Sequence, residues 1–550
     1  MRAATRRTVT VRLRTARLAA AAAISAALAL VAPVGTPPAH AHAGLRTTEP
    51  AASSVLERAP ERIVLTFGEA VEIEFGAIRL FDGGGSLVAI GAPRHLDAPS
   101  VVAADVPALA PGSYLVAWRV VSTDSHPVQG AFTFQIGLRG TDLSALSNDI
   151  LRDGAARPEV RTAMGLARWL AYLGVVLVAG AWILGAMARA PHEPAPPRVG
   201  AAARAGIALL VGGTLGTYVV QPAYAIGGGA TIHGTWRYLD DLAATRLGTW
   251  LLIRVAAIAA FVAWTRARPA LAVAVLASFA VPGHPGMRSP AALSVANDVV
   301  HLGAASAWIG GVVALAVAGA AWRARRVDAV AAFSRWAGAL LAITLATGVA
   351  QALRMTDLLR RATDDLPGGV GEALTSTYGR TLGVKSALVA GVVALGATAR
   401  RAVRGRSGTP STRTLARESV LAAAVLAATT VLVSVPPLAT LGAEPWTTTV
   451  ARGPLVATVT VTPARVGLAD VHVVYSPPGG TLERVRAVEA VLRSDADPAT
   501  GIVVPLELAG PNHAVGRVQL PAAGQWRLVV DTVDASGATV RLEAPVTVRG

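Results

Sequence analysis

Two side chains that can bind a metal ion stand two residues apart near the start of the chain, in the string Asp124-Ser125-His126. The string follows a run of β-forming residues. Residues two apart on a β-strand point to the same face, so this pattern predicts that the carboxylate and the imidazole project together. A solvated pair of loop residues is the alternative for so short a motif.

The N-terminus supplies a further candidate ligand through the processing that it predicts. Residues 1–17 carry six arginines and no acid, an apolar stretch extends over Leu18–Val34, and Ala39–Ala41 is a small-x-small cleavage site. Cleavage there makes residues 1–41 a signal peptide and His42 the first residue of the mature chain. Cleavage two residues later also fits the small-residue rule.

A terminal His42 offers a free α-amine and a ring nitrogen, which together can close a chelate ring on one metal ion. His126 adds a third nitrogen and Asp124 places an oxygen nearby. Tetragonal coordination by nitrogen and oxygen suits Cu(II), which also heads the affinity order of the divalent metals. The three residues therefore predict a Cu(II) site.

A second group of candidate ligands lies in the apolar middle of the chain. His284 and Met287 directly precede an apolar segment that contains Asp298 and His301. Ionisable residues inside a membrane are costly and are functional candidates by default, and residues three apart on a helix share a face. We expect these four residues to form a path that accepts copper from the outer site. The alternatives are that His301 hydrogen-bonds a neighbouring helix, or that His284 and His301 ligate haem.

The composition predicts that much of the chain lies in lipid. The 550 residues are 53% hydrophobic and 15% charged, whereas an ordinary soluble chain is about 25% charged. Cysteine is absent, which excludes disulfides, thiolate metal sites and cysteine nucleophiles. The net charge of +16 comes almost entirely from arginine, since Lys385 is the only lysine. The location of the arginines decides whether this charge marks a nucleic-acid partner.

Eight apolar segments are long enough, or nearly so, to cross a bilayer at about 20 residues each. They lie near residues 164–188, 205–224, 247–265, 269–283, 297–321, 334–352, 382–398 and 417–437. The loops after the first, third, fifth and seventh segments contain 15 arginines, and the opposite loops contain seven. An excess of arginine marks cytoplasmic loops, so this charge indicates topology and no nucleic-acid partner is predicted. Both ends of the membrane domain, residues 164–437, then face outward.

The segments on either side of the membrane domain show short β-forming runs separated by Gly and Pro turns, a pattern typical of small β-sandwiches. Residues 42–140 form the first sandwich and carry more acidic than basic residues, residues 141–163 are a linker, and residues 450–550 form the second sandwich. The predicted fold is a multidomain membrane protein, with an all-α eight-helix domain between two extracytoplasmic all-β sandwiches. His513 is a candidate for a metal contact, but a single histidine without a second ligand nearby is usually structural or solvated.

The N-terminal sandwich resembles the copper-resistance protein family CopC. Three strings carry the resemblance: Leu45–Ala51, Leu65–Phe67 and Ser122–Phe134, which includes Asp-Ser-His-Pro-Val-Gln-Gly. The resemblance implies a cupredoxin-like β-sandwich that binds Cu(II) through His42, Asp124 and His126. Some members also have a Met-rich Cu(I) site, which is not expected here because residues 42–163 contain no methionine.

The membrane domain resembles the CopD family, whose members are implicated in moving copper across the inner membrane, commonly beside or fused to CopC. The strings that carry the resemblance are Gly283-His284, Asp298–His301, Ala307–Gly311, Phe333–Arg335 and Tyr378–Lys385. The C-terminal segment is similar, in residues 510–513 and 520–526, to the YtkA-like and FixH-like sandwiches that are often appended to such proteins.

We therefore expect a copper-transporting protein of the plasma membrane and not an enzyme. The outer sandwich captures Cu(II), and the helical domain accepts the ion, as Cu(I) or Cu(II), for import or for delivery to cuproenzymes. The expected partners are copper ions, the lipid bilayer and periplasmic copper donors or cuproenzymes. The sequence has no Walker A string, which argues against an ATP-driven pump. A copper sensor or assembly factor without transport, and a haem or copper redox protein, are the alternatives.

Overall fold

The structure is a computed structural model of the chain. It describes residues 45–50, 54–75, 77–123, 125–137, 143, 146–147, 149–150, 154–187, 197–287, 290–318, 323–356, 374–404, 412–435, 446–452, 455–462, 464, 466–475, 485–495, 501–510 and 512–548. The predicted signal peptide and two of the predicted ligands, His42 and Asp124, lie outside these residues.

The N-terminal part is a two-sheet β-sandwich, as predicted. Its strands are β1 (Leu45–Glu49), β2 (Val55–Leu56), β3 (Arg62–Phe67), β4 (Val71–Glu72), β5 (Ile78–Asp82), β6 (Leu87–Val88), β7 (Arg94–His95), β8 (Val101–Asp105), β9 (Gly112–Ser122) and β10 (Pro127–Ile136). One sheet has the order β1-β3-β8-β7 and the other β2-β10-β9-β5-β6, with β4 paired to β9. Alternate residues of the two sheets, such as Leu65 of β3 and Trp118 of β9, meet in one apolar core.

The middle of the chain is helical. Its helices are α1 (Pro158–Met187), α2 (Pro197–Ile226), α3 (Leu239–Ala244), α4 (Arg246–Ala263), α5 (Arg268–Ala280), α6 (His284–Met287), α7 (Ala291–Ala318), α8 (Arg323–Thr356), α9 (Thr377–Arg404) and α10 (Thr412–Leu432). Seven helices of the described residues are long and apolar enough to cross a membrane, namely α1, α2, α4, α7, α8, α9 and α10.

The prediction of eight membrane-spanning helices differs from the structure at its fourth segment, residues 269–283. This segment contains α5, whose 13 residues span about 20 Å at 1.5 Å per residue, less than the roughly 30 Å of a bilayer's hydrocarbon core. Proline sets both limits of the helix: Pro269 occupies its first turn, and Pro282 follows its end.

Two of the long helices pack against each other through small residues. α1 and α7 cross at Gly180 and Gly310, where a Cβ atom on either glycine would overlap the backbone of the other helix. Close backbone contact through glycine is a common way for helices to associate in a membrane. An apolar cluster that includes Val176, Trp308 and Phe333 extends from this crossing towards α8 and α10.

The C-terminal part is again all-β, as predicted. Its strands are β11 (Trp446–Arg452), β12 (Leu455–Thr462), β13 (Gly467–Tyr475), β14 (Val485–Ser494), β15 (Gly501–Val504), β16 (Leu506–Gly510), β17 (His513–Leu520), β18 (Gly524–Asp534) and β19 (Thr539–Val548). They form two sheets with the orders β11-β12-β13-β17-β16 and β15-β14-β18-β19. Val473 and Tyr475 from one sheet and Leu528 and Val546 from the other are buried in a shared core.

The crossing of α1 and α7 can be tested with one pair of variants. Gly310→Ala should lower the thermal unfolding midpoint of the detergent-purified protein, because overpacking a tight contact costs about 1–3 kcal/mol. Gly185→Ala on α1 is the matched control, since a Cβ atom there meets nothing within 4 Å. This control should be neutral or stabilising, because alanine favours a helix over glycine by about 1 kcal/mol. Equal midpoints for the two variants would contradict the packing described.

Candidate metal site

The hairpin between β9 and β10 carries the predicted ligands Asp124 and His126. β9 ends at Ser122 and β10 begins at Pro127, and the Ser122 backbone N–H donates to the His126 carbonyl oxygen at 2.9 Å. The sequence pattern placed both ligands on one face of a strand. His126 does not lie in a strand, so the turn, and not strand alternation, sets the direction of its side chain. Asp124 itself lies outside the described residues.

The turn is held by contacts to the helices. Ser125 adopts a left-handed φ of 72°, which is uncommon for a residue with a side chain. Its buried hydroxyl donates to the Pro282 carbonyl oxygen at 3.2 Å, directly after α5. His126 Nε2–H donates to the Val433 carbonyl oxygen at 3.1 Å, directly after α10. This hydrogen bond places the lone pair of the neutral His126 ring on Nδ1, the atom with which that tautomer can coordinate a metal.

His126 lies against His284, the first residue of α6. The two imidazole rings are stacked, with centroids 4.7 Å apart and planes inclined by 29°. His284 is buried, with 9% of its surface exposed. The sequence assigned these histidines to two separate sites, one in the sandwich and one in the membrane domain, and the structure brings them together. Two imidazoles at one domain boundary are a donor set that suits copper.

Met287 lies at the end of the same short helix and contacts Arg246 of α4. Arg246 Nη1 donates to Met287 Sδ at 3.3 Å and Nη2 donates to the Val281 carbonyl oxygen at 2.7 Å. A guanidinium places positive charge beside the sulfur that would bind a metal cation, which opposes binding in this arrangement. Met287 as a copper ligand therefore stays a prediction.

Asp298 and His301 share one face of α7, as their spacing predicts, and this face is turned towards α8. His301 Nδ1 is 3.0 Å from Thr347 Oγ1 and 3.1 Å from the Thr344 carbonyl oxygen. Gln351 Nε2 donates to Asp298 Oδ1. His301 thus makes the hydrogen bond to a neighbouring helix that was the alternative to a role in copper binding.

Two more residues complete this part of the bundle. A Cβ atom on Gly348 of α8 would lie 3.1 Å from His301 Cε1, so this glycine leaves room for the imidazole ring. Lys385 of α9, the chain's only lysine, interacts electrostatically with Asp298. No feature of the sequence pointed to Gly348, whereas Lys385 was already distinctive as the only lysine of the chain.

Arg119 of β9 fixes the sandwich on the helical domain. This residue was not identified from the sequence. Its guanidinium donates to the carbonyl oxygens of Gly154 at 2.7 Å and Tyr224 at 3.1 Å, and also to the Ala225 carbonyl and Gln129 Oε1. Burial lowers the pKa of Arg119 to about 10, so the side chain is still charged at neutral pH. These acceptors belong to the segment before α1, to the end of α2 and to β10.

Glu72 of β4 makes a second polar contact across the same boundary. Its Oε1 accepts a hydrogen bond of 2.8 Å from the backbone N–H of Arg246, at the start of α4. Burial raises the pKa of Glu72 to about 7, and the hydrogen bond from Arg246 offsets part of this rise. The carboxyl group therefore titrates near neutral pH while the sandwich is docked.

The described residues contain no group of three or more His, Asp and Glu side chains that could hold a metal ion. They contain the pair His126 and His284 at the domain boundary. The other two predicted ligands of the outer site, His42 and Asp124, lie outside the described residues, so the complete three-residue site stays a prediction.

The Glu72 contact predicts a pH dependence. A pKa of about 7 in the docked state, against 4.5 for the free group, means that docking favours the protonated form. The stabilisation is therefore fully present below about pH 4.5 and is lost as the pH rises through 7. Glu72→Gln mimics the protonated group, so the unfolding midpoint of this variant in detergent should depend less on pH between 5 and 8. If the unfolding midpoints of Glu72→Gln and the wild type depend on pH in the same way, the raised pKa of Glu72 is contradicted.

Two protein families match parts of the chain. The CopC domain family matches residues 45–137. The family described as copper resistance protein D, CopD, matches residues 327–435, which include most of α8 and all of α9 and α10.

Individual proteins resemble the chain over longer or shorter stretches. Copper transport protein CutJ of Bacillus subtilis is 26% identical over 423 residues, which are 72% of this chain and 74% of CutJ. Copper resistance protein C of Escherichia coli is 34% identical over 104 residues, 18% of this chain and 82% of that protein. The crystal structure of CopC from Methylosinus trichosporium OB3b is 32% identical and covers 18% of this chain and 97% of its own, with a TM-score of 0.17.

Proposed function

The chain belongs to the CopC copper-resistance family and joins this domain to a CopD family domain in one multi-pass membrane protein, and on this premise we propose that it imports copper. The N-terminal sandwich captures Cu(II) at His42, Asp124 and His126, and His284 of the helical domain then takes the ion over. The contact between His126 and His284 carries this proposal.

The course of the chain supports capture at the hairpin. Leu45, at the start of β1, pairs with Phe67 at the end of β3. Two residues further on, Glu69 accepts hydrogen bonds from the hydroxyl groups of Ser122 and Thr123 in the hairpin. The chain thus enters β1 at the same end of the sandwich as His126, three residues after His42. Only the residues between His42 and Leu45 have to bridge the distance from the start of β1 to a metal ion at His126.

The stacked imidazoles support transfer by ligand exchange. With ring centroids 4.7 Å apart, a copper ion bound to His126 lies within reach of a modest rotation of the His284 ring. The ion can therefore gain a bond to His284 before it loses its bond to His126. Such an exchange never releases the ion into water, so the ion does not have to lose a hydration shell before it binds the next ligand.

The docking contacts support an outward-facing sandwich above the bundle. The sandwich contacts the segment before α1, the end of α2, the start of α4 and the segments after α5 and α10, at Gly154, Ala225, Arg246, Pro282 and Val433. These chain positions lie at one side of the bundle when the chain direction alternates from helix to helix. In this arrangement α5, which is too short to span the hydrocarbon core by itself, returns the chain to the outer side after α4. The arginine-rich loops fall at the opposite side, where the positive-inside rule places the cytoplasm.

The membrane potential supplies a driving force for import. Each positive charge that moves to the negative interior gains about 2.3 kcal/mol per 100 mV. A copper cation therefore moves inward without a nucleotide-binding domain. The relatives described above carry the words copper transport and copper resistance in their names, in agreement with a copper transporter.

Copper uptake into proteoliposomes with an inside-negative potential tests the transfer step. His284→Ala should reduce the rate of uptake about tenfold or more, since losing a ligand costs at least the roughly 10- to 100-fold typical of its supporting partners. His233→Ala is the matched control, because His233 is an exposed histidine that contacts Trp236 in the loop after α2. Its uptake should equal that of the wild type. Uptake by His284→Ala at the wild-type rate would overturn the proposed route.

The orientation can be read from single cysteines, because the chain has none of its own. Ser86→Cys in the N-terminal sandwich and Ala535→Cys in the C-terminal sheets should react with a membrane-impermeant maleimide in intact spheroplasts. Thr265→Cys, in the turn between α4 and α5, should react only after the membrane is permeabilised. All three positions are exposed, so accessibility within the fold is matched. Labelling of Thr265→Cys in intact spheroplasts would contradict this topology.

A further inference from the structure

The C-terminal sheet carries a second pair of histidines. β13 and β17 are antiparallel neighbours in which His472 pairs with Val515 and His513 pairs with Val474. Val471, Val473 and Ala514 point into the core, so both histidines stand on the other face of the sheet. The expectation that His513 lacks a second ligand nearby was wrong, because strand pairing brings His472 to it from 41 residues away.

The two imidazoles are close enough to share one metal ion. His472 Nδ1 is 3.2 Å from His513 Nε2, and the ring planes are inclined by 20°. If both nitrogens bind an ion at the usual distance of about 2.0–2.1 Å, they subtend about 100–106° at the metal, within the range of tetrahedral and distorted geometries. The proton that lies between the two nitrogens moves to the far nitrogen of its own ring, so binding requires no net loss of a proton.

The environment keeps both rings neutral, which is the form that binds a metal. His513 is 1% exposed, and burial lowers its pKa to about 4. Burial also lowers the pKa of His472, and the nearby Asp470 carboxylate offsets part of this effect. The neighbouring Asn512 side chain donates to the Tyr475 carbonyl oxygen at 3.0 Å and fixes the start of β17.

A cavity of about 570 Å³ opens in front of the pair, between the C-terminal sheet and the first strands of the N-terminal sandwich. Glu49 and Ser54 line it from the sandwich, and Asp470 and Arg517 line it from the sheet. Ser54 Oγ is buried and has no hydrogen-bond partner among the described residues. A buried hydroxyl without a partner is costly, and water carried by a bound ion would satisfy it.

We propose that His472 and His513 form a second copper site, at the boundary between the two β-sandwiches. The two imidazoles bind the ion, and Glu49 and Ser54 face it across the cavity. The Glu49 carboxylate and the Ser54 hydroxyl accept hydrogen bonds from the water molecules that complete the coordination of the ion. Asp470 is held by Arg517 at 2.8 Å and contributes charge rather than a bond to the ion. The metal is copper because imidazole suits it and because the chain belongs to copper families.

The second site is separate from the capture site. Glu49 lies at the far end of β1 from Leu45, about 13 Å away at 3.3 Å per residue, whereas the capture hairpin lies at the Leu45 end. An ion on the histidine pair therefore lies apart from an ion at the hairpin. The proposal takes its metal from the family and does not depend on transfer to His284.

Copper titration of the full-length protein in detergent tests the site. The wild type should bind one more copper ion per chain than His472→Gln and His513→Gln, in the cupric form, the cuprous form or both. His95→Ala is the matched control, because His95 is an exposed histidine of the N-terminal sandwich, and it should bind as many ions as the wild type. Equal stoichiometry of the His472→Gln and wild-type proteins in both oxidation states would overturn the proposal.

A second measurement does not rely on the folding of those variants. In His126→Ala/His284→Ala the histidine pair is intact, and the X-ray absorption fine structure of the remaining copper should show two imidazole ligands. An ion without imidazole ligands would refute the second site. Failure of the transport test with retention of this signal would refute the proposed route and leave the histidine pair in place.

Discussion

A partly buried arginine holds the N-terminal sandwich against the helices, and the geometry of both candidate copper ligands at this boundary depends on it. Arg119 donates to backbone carbonyls of three residues outside the sandwich, Gly154, Tyr224 and Ala225. A guanidinium that is largely removed from water needs acceptors for its N–H groups, and those of Arg119 lie on the helical domain and in the segment before it. Docking therefore satisfies the arginine, and undocking would expose several carbonyls at once.

The close approach at this contact also depends on glycine. Gly227, directly after α2, has a left-handed φ of 62°, and a Cβ atom there would overlap the Gly154 carbonyl oxygen and lie 2.8 Å from Arg119 Cζ. Because the sandwich packs this closely against the helical domain, the β9–β10 hairpin contacts the ends of α5 and α10. Ser125 then bonds to Pro282 and His126 to Val433, and the His126 ring comes to rest on His284. The docking of the N-terminal sandwich on the helical domain thus sets the distance between His126 and His284.

The sequence predicted the parts of the fold that depend on local pattern. Both sandwiches, seven long apolar helices and the shared face of Asp298 and His301 follow from spacing along the chain. The contacts that join distant segments could not be predicted in this way. Glu72 and Arg246 are 174 residues apart, and His472 meets His513 only because β13 pairs with β17 in a particular register. Strand alternation failed at His126, because a left-handed Ser125 replaces the strand with a turn.

The division of ligands between domains has a consequence for transport. A closed site with all its ligands on one rigid element binds an ion tightly and releases it slowly, whereas conduction requires binding that is strong enough to admit the ion and weak enough to let it leave. Among the described residues, the pair His126 and His284 divides its two imidazoles between the N-terminal sandwich and the helical domain. An ion bound by two side chains still has coordination positions for the next ligand. On the proposed route this boundary therefore both receives copper from the sandwich and gives it up to the helical domain.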